Sequence, residues 1–189
     1  MKIGKRIIPL LVFCIFLSGC AATPTKSVNH YLKEFRTSLQ TTFLPEDSDL
    51  VQNHKELSDR LKELIEDFDY TVGKETIYGN SAEVEVTIQA YALGEAFEET
   101  IKEYLTQAMA AIISGETDQD LSTLMYEIWE EKNLEYKEKG KTFSETLTLK
   151  LTKNEKEWAV EDDSAFELAN AVTGNLWTLM QTYADAFQQ

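Results

Sequence analysis

Ser81-Ala82-Glu83-Val84-Glu85-Val86-Thr87-Ile88-Gln89-Ala90 is the stretch that decides the fold. Ala82, Val84, Val86, Ile88 and Ala90 take every second position, and polar residues take the others. Side chains alternate across a strand with period 2, so this stretch is a β-strand with one face to bury. Just before it, Tyr78-Gly79-Asn80-Ser81 is a turn signal, and upstream Tyr70 and Val72 alternate with polar residues. The two runs make a β-hairpin.

On both sides of the hairpin the period changes to 3.6. Upstream, Val28, Tyr31, Leu32, Phe35 and Leu39 predict a helix over 27–43, stopped by Pro45. After the acidic loop Glu46-Asp47-Ser48-Asp49, a second helix starts near Asn53, which has capping-box spacing to Glu56. Its stripe is Leu57, Leu61, Leu64, Ile65 and Phe68. Downstream, Gly94 breaks the strand and a helix over 95–113 follows, with Phe97, Ile101, Tyr104, Leu105, Ala108 and Ile112 as its core stripe and Gly115 at its end. A partner helix over 119–138 carries Leu121, Leu124, Met125, Ile128, Trp129 and Lys132 on one stripe.

Period 2 then returns. Phe143, Leu147, Leu149 and Leu151 alternate with polar residues, Asn154-Glu155 turns the chain, and Trp158 and Val160 complete a second hairpin. Glu145 falls on the apolar face of this run. Ser164 and Glu167 match a capping box before one last helix bearing Phe166, Ala169, Val172, Leu176, Leu179, Met180, Tyr183 and Phe187. The order α-α-β-β-α-α-β-β-α predicts one α+β domain over 28–189. Its two hairpins form a curved antiparallel sheet packed by helices, a cone-like roll.

The first nineteen residues read as an address. Lys2, Lys5 and Arg6 precede an apolar run, Ile7 to Leu17, whose 11 residues are too few to cross a bilayer core of roughly 30 Å. Leu17-Ser18-Gly19-Cys20 follows and resembles the bacterial lipobox. That resemblance implies that the Cys20 thiol takes a diacylglycerol with palmitate-type acyl chains and that cleavage falls between Gly19 and Cys20. Residues 1–19 are then a signal peptide, and 20–27 are the lipidated Cys with a short tether. Two acyl chains suffice for stable attachment to a membrane. Cys14, the second of two cysteines, leaves with the leader, so the mature domain has no internal disulfide. This absence fits export from a Gram-positive cell.

Charge and composition narrow the function. The chain holds 18 Lys+Arg against 33 Asp+Glu, a formal charge of −15 that becomes −18 over 170 residues once the leader's three basic residues are removed. A chain this acidic lacks the basic footprint of a nucleic-acid binder. With 43% hydrophobic and 11% aromatic residues it can bury a core, which argues against disorder. The charge is uneven. Residues 21–45 carry a net +2 from Lys26, Lys33 and Arg36 against Glu34, and residues 94–139 carry −8. Either the basic end faces anionic lipid, in which case reversal of Lys33 and Arg36 would change the tilt, or the acidic body is a solvated surface that keeps the protein soluble.

The β-rich stretches Tyr70–Glu75, Ala82–Ile88, Leu147–Leu151 and Trp158–Asp162, with Leu93-Gly94 opening a helix, resemble small uncharacterised lipoproteins of low-GC Gram-positive bacteria. They also resemble the roll of cystatin-like and nuclear-transport-factor-two-like domains. The resemblance implies a fold and a location, and brings no catalytic residues with it.

Chemistry is sparse. His30 and His54 are the only histidines and lie in no metal-ligand spacing. Glu46-Asp47-Ser48-Asp49 and Glu161-Asp162-Asp163 lack the spacing of an EF-hand. There is no nucleophile elbow and no Gly-rich phosphate loop. No catalytic residue, metal or cofactor is therefore expected. Tyr91, Phe97, Tyr104, Trp129, Phe143 and Trp158 either line a ligand pocket on the concave sheet or fill the core. Lys132 and Glu145 either sit in that pocket, pair with each other, or mark where their faces reach solvent. The expected function is a membrane-anchored extracytoplasmic lipoprotein that binds an envelope protein or a small ligand without catalysis. A carrier would need an enclosed apolar cavity of ~300 Å³ or more. A structural or immunity-type lipoprotein would show an exposed apolar patch, expected on the last helix near Trp177 and Phe187, and an enzyme would show a cleft where at least two strongly perturbed titratable groups converge.

Overall fold

A computed structural model describes residues 23–44, 48–115, 120–155 and 157–186. The segment 1–19 read as a leader, Gly19 and Cys20 of the expected cleavage and lipidation site, Pro45, Glu46 and Asp47, and Phe187 lie outside the described residues. The elements are α1 (Pro24–Phe43), α2 (Asp49–Asn53), α3 (Lys55–Glu66), β1 (Asp69–Tyr78), β2 (Ser81–Ala90), α4 (Leu93–Ser114), α5 (Leu121–Lys139), β3 (Phe143–Asn154), β4 (Glu157–Val160), α6 (Asp162–Val172) and α7 (Leu176–Ala186). This is the predicted α+β order, with the first and last helical regions each subdivided.

The four strands form one open antiparallel sheet in the order β1-β2-β3-β4. Ala82 pairs with Leu151, Val84 with Leu149 and Val86 with Leu147, so the apolar faces of the two central strands coincide. These six side chains are 0–1% exposed apart from Leu147 at 7%. The helices α1 and α6 cover this face. The other face stays in water and bears Glu85, Gln89, Thr146 and Lys150. This is the one-sided burial that an alternating strand demands. The helix α3 packs on α1 and α5, α4 and α5 form an antiparallel pair, and α7 lies on α4.

A bulge interrupts β1. Val72 faces Val86 and Glu75 faces Val84, so three residues of β1 span two of β2. The extra residue re-aims the strand. It turns Glu75 toward α1, where Oε2 accepts from Thr25 N at 2.8 Å and from Thr25 Oγ1 at 2.6 Å. A carboxylate at a helix N-terminus satisfies orphan N–H groups and complements the helix dipole.

Several local expectations are corrected. Asn53 ends α2 and starts no capping box; Ser48 caps α2, and His54 precedes α3 without a side-chain cap. Ser164 lies inside α6, not at its start, and its buried hydroxyl accepts from Lys150 N at 3.0 Å, tying the helix to β3. The expected single last helix is two, because Thr173-Gly174-Asn175 breaks it with φ of 57° at Gly174 and 65° at Asn175. The break lets Gly174 O accept from Gly94 N at 3.0 Å. Gly94 is therefore a contact point inside α4 rather than a mere strand breaker. Leu105, Ile112 and Phe166, expected in the core, are 49%, 71% and 48% exposed. Arg36 is committed to the fold: its guanidinium donates to Phe68 O and lies 4.4 Å from the centre of the Phe68 ring. Charge reversal there would disturb packing.

Candidate functional site

The six aromatics proposed as a pocket do not converge. Phe143 pairs with Ala90 at one end of β3, and Trp158 pairs with Lys153 ten residues away at the other. At a strand rise of 3.3 Å this is a separation of roughly 33 Å. Trp158 is buried beside Lys153, whose Nζ lies 5.5 Å from the ring centre. Phe97 and Trp129 do meet, edge to face at 5.3 Å, and Tyr183 of α7 joins Phe97 at 6.0 Å. This trio fastens α7 to the α4–α5 pair. Tyr104 is half-buried further along α4. Tyr91 closes the end of the sheet, and its hydroxyl donates to Asp67 Oδ2 at 2.9 Å.

Around Tyr91 lies the densest polar constellation. Lys141 Nζ donates to Asp67 Oδ1 at 2.7 Å and to Asp69 Oδ2 at 2.9 Å. The hydrogen bond from Lys141 holds the Asp67 carboxyl below its ordinary range, against a smaller opposing effect of burial. Burial and the Asp67 carboxylate push the Tyr91 hydroxyl up. Asp67, Tyr91 and Lys141 keep their ordinary charge at neutral pH. The cluster is therefore a clasp joining the end of α3, the start of β1 and the loop before β3.

Two open clefts flank α5. One, of about 350 Å³, is lined by Glu99, Lys102, Glu103, Thr106 and Lys132. Lys132 Nζ lies 3.1 Å from Glu103 and 3.6 Å from Glu135, and the Glu103 hydrogen bond holds its pKa above the usual lysine value. A lysine so paired stays a cation and is no general base at neutral pH. The other cleft, of about 270 Å³, runs from Asn53 to Leu57 and across Thr123, Tyr126, Glu127 and Glu130. The His54 ring stacks on Tyr126 with centroids 3.6 Å apart, and Arg60 reaches Glu130 at 3.2 Å. None of the six aromatics lines either cleft.

Lys132 and Glu145 do not pair. Glu145 sits opposite Ile88, and its Oε2 is buried without a hydrogen-bond partner among the described residues. Among the described residues, no three His, Cys, Asp or Glu side chains gather as a metal site.

The most unusual surface lies on α4. Residues 104–115 carry no charge. Leu105, Met109, Ile112 and Ile113 recur at i, i+4, i+7 and i+8 and are 49–82% exposed. Periodicity alone assigns such a stripe to the core. The missing charge over twelve residues was the sequence signal that a second apolar face existed, since α4 buries Ala108 and Ala111 instead. Trp177 is half-buried.

No family model matches this chain, and no curated protein matches it. The chain is similar to a candidate lipoprotein from Bacillus subtilis subsp. subtilis str. 168, ycdA, at 18% identity and a TM-score of 0.42. The likeness covers 79% of this chain, which spans half the length of that protein. A likeness of this size carries no functional information.

Proposed function

We propose that the chain is a lipid-anchored extracytoplasmic lipoprotein of a Gram-positive envelope, with a non-enzymatic interaction domain in a cone-like roll. The observation that carries the reading is the leader itself: a basic start, an apolar run of 11 residues, and Leu17-Ser18-Gly19-Cys20 at its end. No described helix is long and apolar enough to cross a membrane, which is compatible with attachment through a lipid. Palmitate labelling and cell fractionation test the anchor. Wild type is expected to take the label and sediment with membranes, and Cys20→Ala is expected to lose both. A labelled, membrane-bound Cys20→Ala chain overturns the reading.

Association with a second envelope protein is favoured over a carrier role. Its support is the uncharged stripe Leu105, Met109, Ile112 and Ile113. The sheet face where a carrier would hold its ligand is filled instead by Val84, Val86, Ile88 and Leu149, all 0% exposed. A photocrosslinker at Met109 should give a discrete adduct in intact cells that one at the exposed Glu138 does not. Equal or absent adducts at both positions remove the interaction reading.

A further inference from the structure

We propose that the β1–β2 turn is a membrane-contact tip: Ile77 and Tyr78 enter the headgroup layer of the bilayer that holds the lipid anchor. The inference rests on the anchor at Cys20 and adds the surface that the domain turns toward the lipid.

Three observations carry it. The first is where the anchor must lie. The described residues start at Thr23, and α1 starts at Pro24. Thr25 is fixed to Glu75 by two hydrogen bonds of 2.8 and 2.6 Å. Cys20 is five residues before Thr25, so it stays within roughly 17 Å of that contact even in a fully extended chain. The turn begins three residues beyond Glu75, about 10 Å further along β1. The helix α1 runs from the Thr25–Glu75 contact, nearer the turn, toward Phe68, where Arg36 docks at the other end of β1, so its N-terminal side, from which Cys20 extends, is the side of the tip.

The second is what the tip exposes. Ile77 is 51% exposed and Tyr78 62%, at the last two positions of β1. Ile77 pairs with Ala82 and Tyr78 with Ser81, which places them on opposite faces of the ribbon. Gly79, with φ of 63°, turns the chain immediately after them. A Tyr beside an aliphatic residue next to a tight turn at the end of the sheet suits the interface, where the ring body is buried and the hydroxyl stays wet.

The third is charge. At this end Lys26, Lys74, Lys150 and Lys153 stand against Glu75, Glu83, Glu155 and Glu157, and Glu75 already accepts from α1. The −8 segment 94–139 joins the sheet at Ala90 and Phe143, at the opposite end. Nine strand residues separate those ends, roughly 30 Å, which is several times the ~8 Å screening length at physiological salt. Anionic lipid would therefore repel the acidic end far more than the tip. The same orientation points the α4–α5 roots away from the membrane.

Depth-dependent quenching tests this on the lipidated mature protein in vesicles of phosphatidylcholine and phosphatidylglycerol. Cys20 is acylated and Cys14 removed, so a single introduced thiol takes the fluorophore. Ile77→Cys and Tyr78→Cys are compared with Glu138→Cys, all three sites being exposed. Lipids spin-labelled near the glycerol backbone are expected to quench positions 77 and 78 at least twofold more than 138. Circular dichroism verifies that each variant is folded, and either tip position suffices. Flotation of the protein with the vesicles, and the acyl mass on the Cys20 peptide, report the anchor separately. A chain that floats with equal quenching at all three sites overturns the tip and leaves the anchor intact. A chain that carries no acyl mass and does not float overturns the anchor and the tip with it.

Discussion

Glu75 shows how one side chain can join two elements. It lies on an edge strand, and without the bulge Lys74 would occupy its face. Its carboxylate meets the first N–H groups of α1, a position where negative charge stabilises the helix by about 0.5–1 kcal/mol beyond the hydrogen bond itself. Glu75→Gln keeps the shape and removes the charge. It is expected to cost about 1 kcal/mol in urea unfolding, with an unchanged m-value. Asp67 makes a second prediction at the same scale. Lys141 holds its pKa below the ordinary value, so the group contributes stability above its unfolded pKa of about 4 and loses it as pH falls through the lower folded value. The stability gap between wild type and Asp67→Asn should therefore be present at pH 7 and close below the folded pKa. A gap that persists undiminished at lower pH would assign the Asp67 effect to shape rather than charge.

Among the elements, the break between α6 and α7 and the start of α4 depend on each other. A Cβ on Gly174 would lie 2.3 Å from Tyr91 O, and one on Gly94 would lie 2.4 Å from Gly174 O. Neither neighbour is a flexible side chain, so the backbones would have to part. Gly174→Ala also places a side chain at φ of 57°. It is expected to destabilise by about 2–4 kcal/mol, the sum of overpacking and left-handed strain. Gly79 also has positive φ but meets nothing within 4 Å, so Gly79→Ala should cost about 1 kcal/mol from strain alone. Chemical denaturation of the two variants side by side separates clash from conformation. The elements themselves were legible: both hairpins and every long helix follow from a period of 2 or 3.6. What the sequence pattern could not rank was competition for burial. Leu105 and Ile112 fit the helical period as well as Phe97 and Ile101 do, but only the first half of α4 has Trp129 and α7 to cover it. Ser164 likewise had a plausible local role as a cap. It took a tertiary one, because Lys150 N needed an acceptor where β4 no longer pairs with β3.

For the molecule as a whole, net charge outweighs the surface ion pairs. Exposed pairs such as Lys102–Glu98 and Lys139–Glu135 contribute little, because solvent and salt screen them. Residues 20–189 carry a net −18, which repels itself throughout the fold. Raising salt from ~0.01 to ~0.2 M shortens the screening length from about 30 Å to under 10 Å. The thermal midpoint of the mature domain is therefore expected to rise across that range, and a falling midpoint would show that the pairs dominate. The sequence by itself determined the charge and the order of strands and helices, because each of these depends on residues close together in the chain. The tertiary structure alone decided that Phe143 and Trp158 stand at opposite ends of the sheet, roughly 33 Å apart, and that Leu105, Met109, Ile112 and Ile113 on the second half of α4 stay exposed. Each of those outcomes depends on which distant segment arrives to cover or pin a residue, and local periodicity contains no record of that.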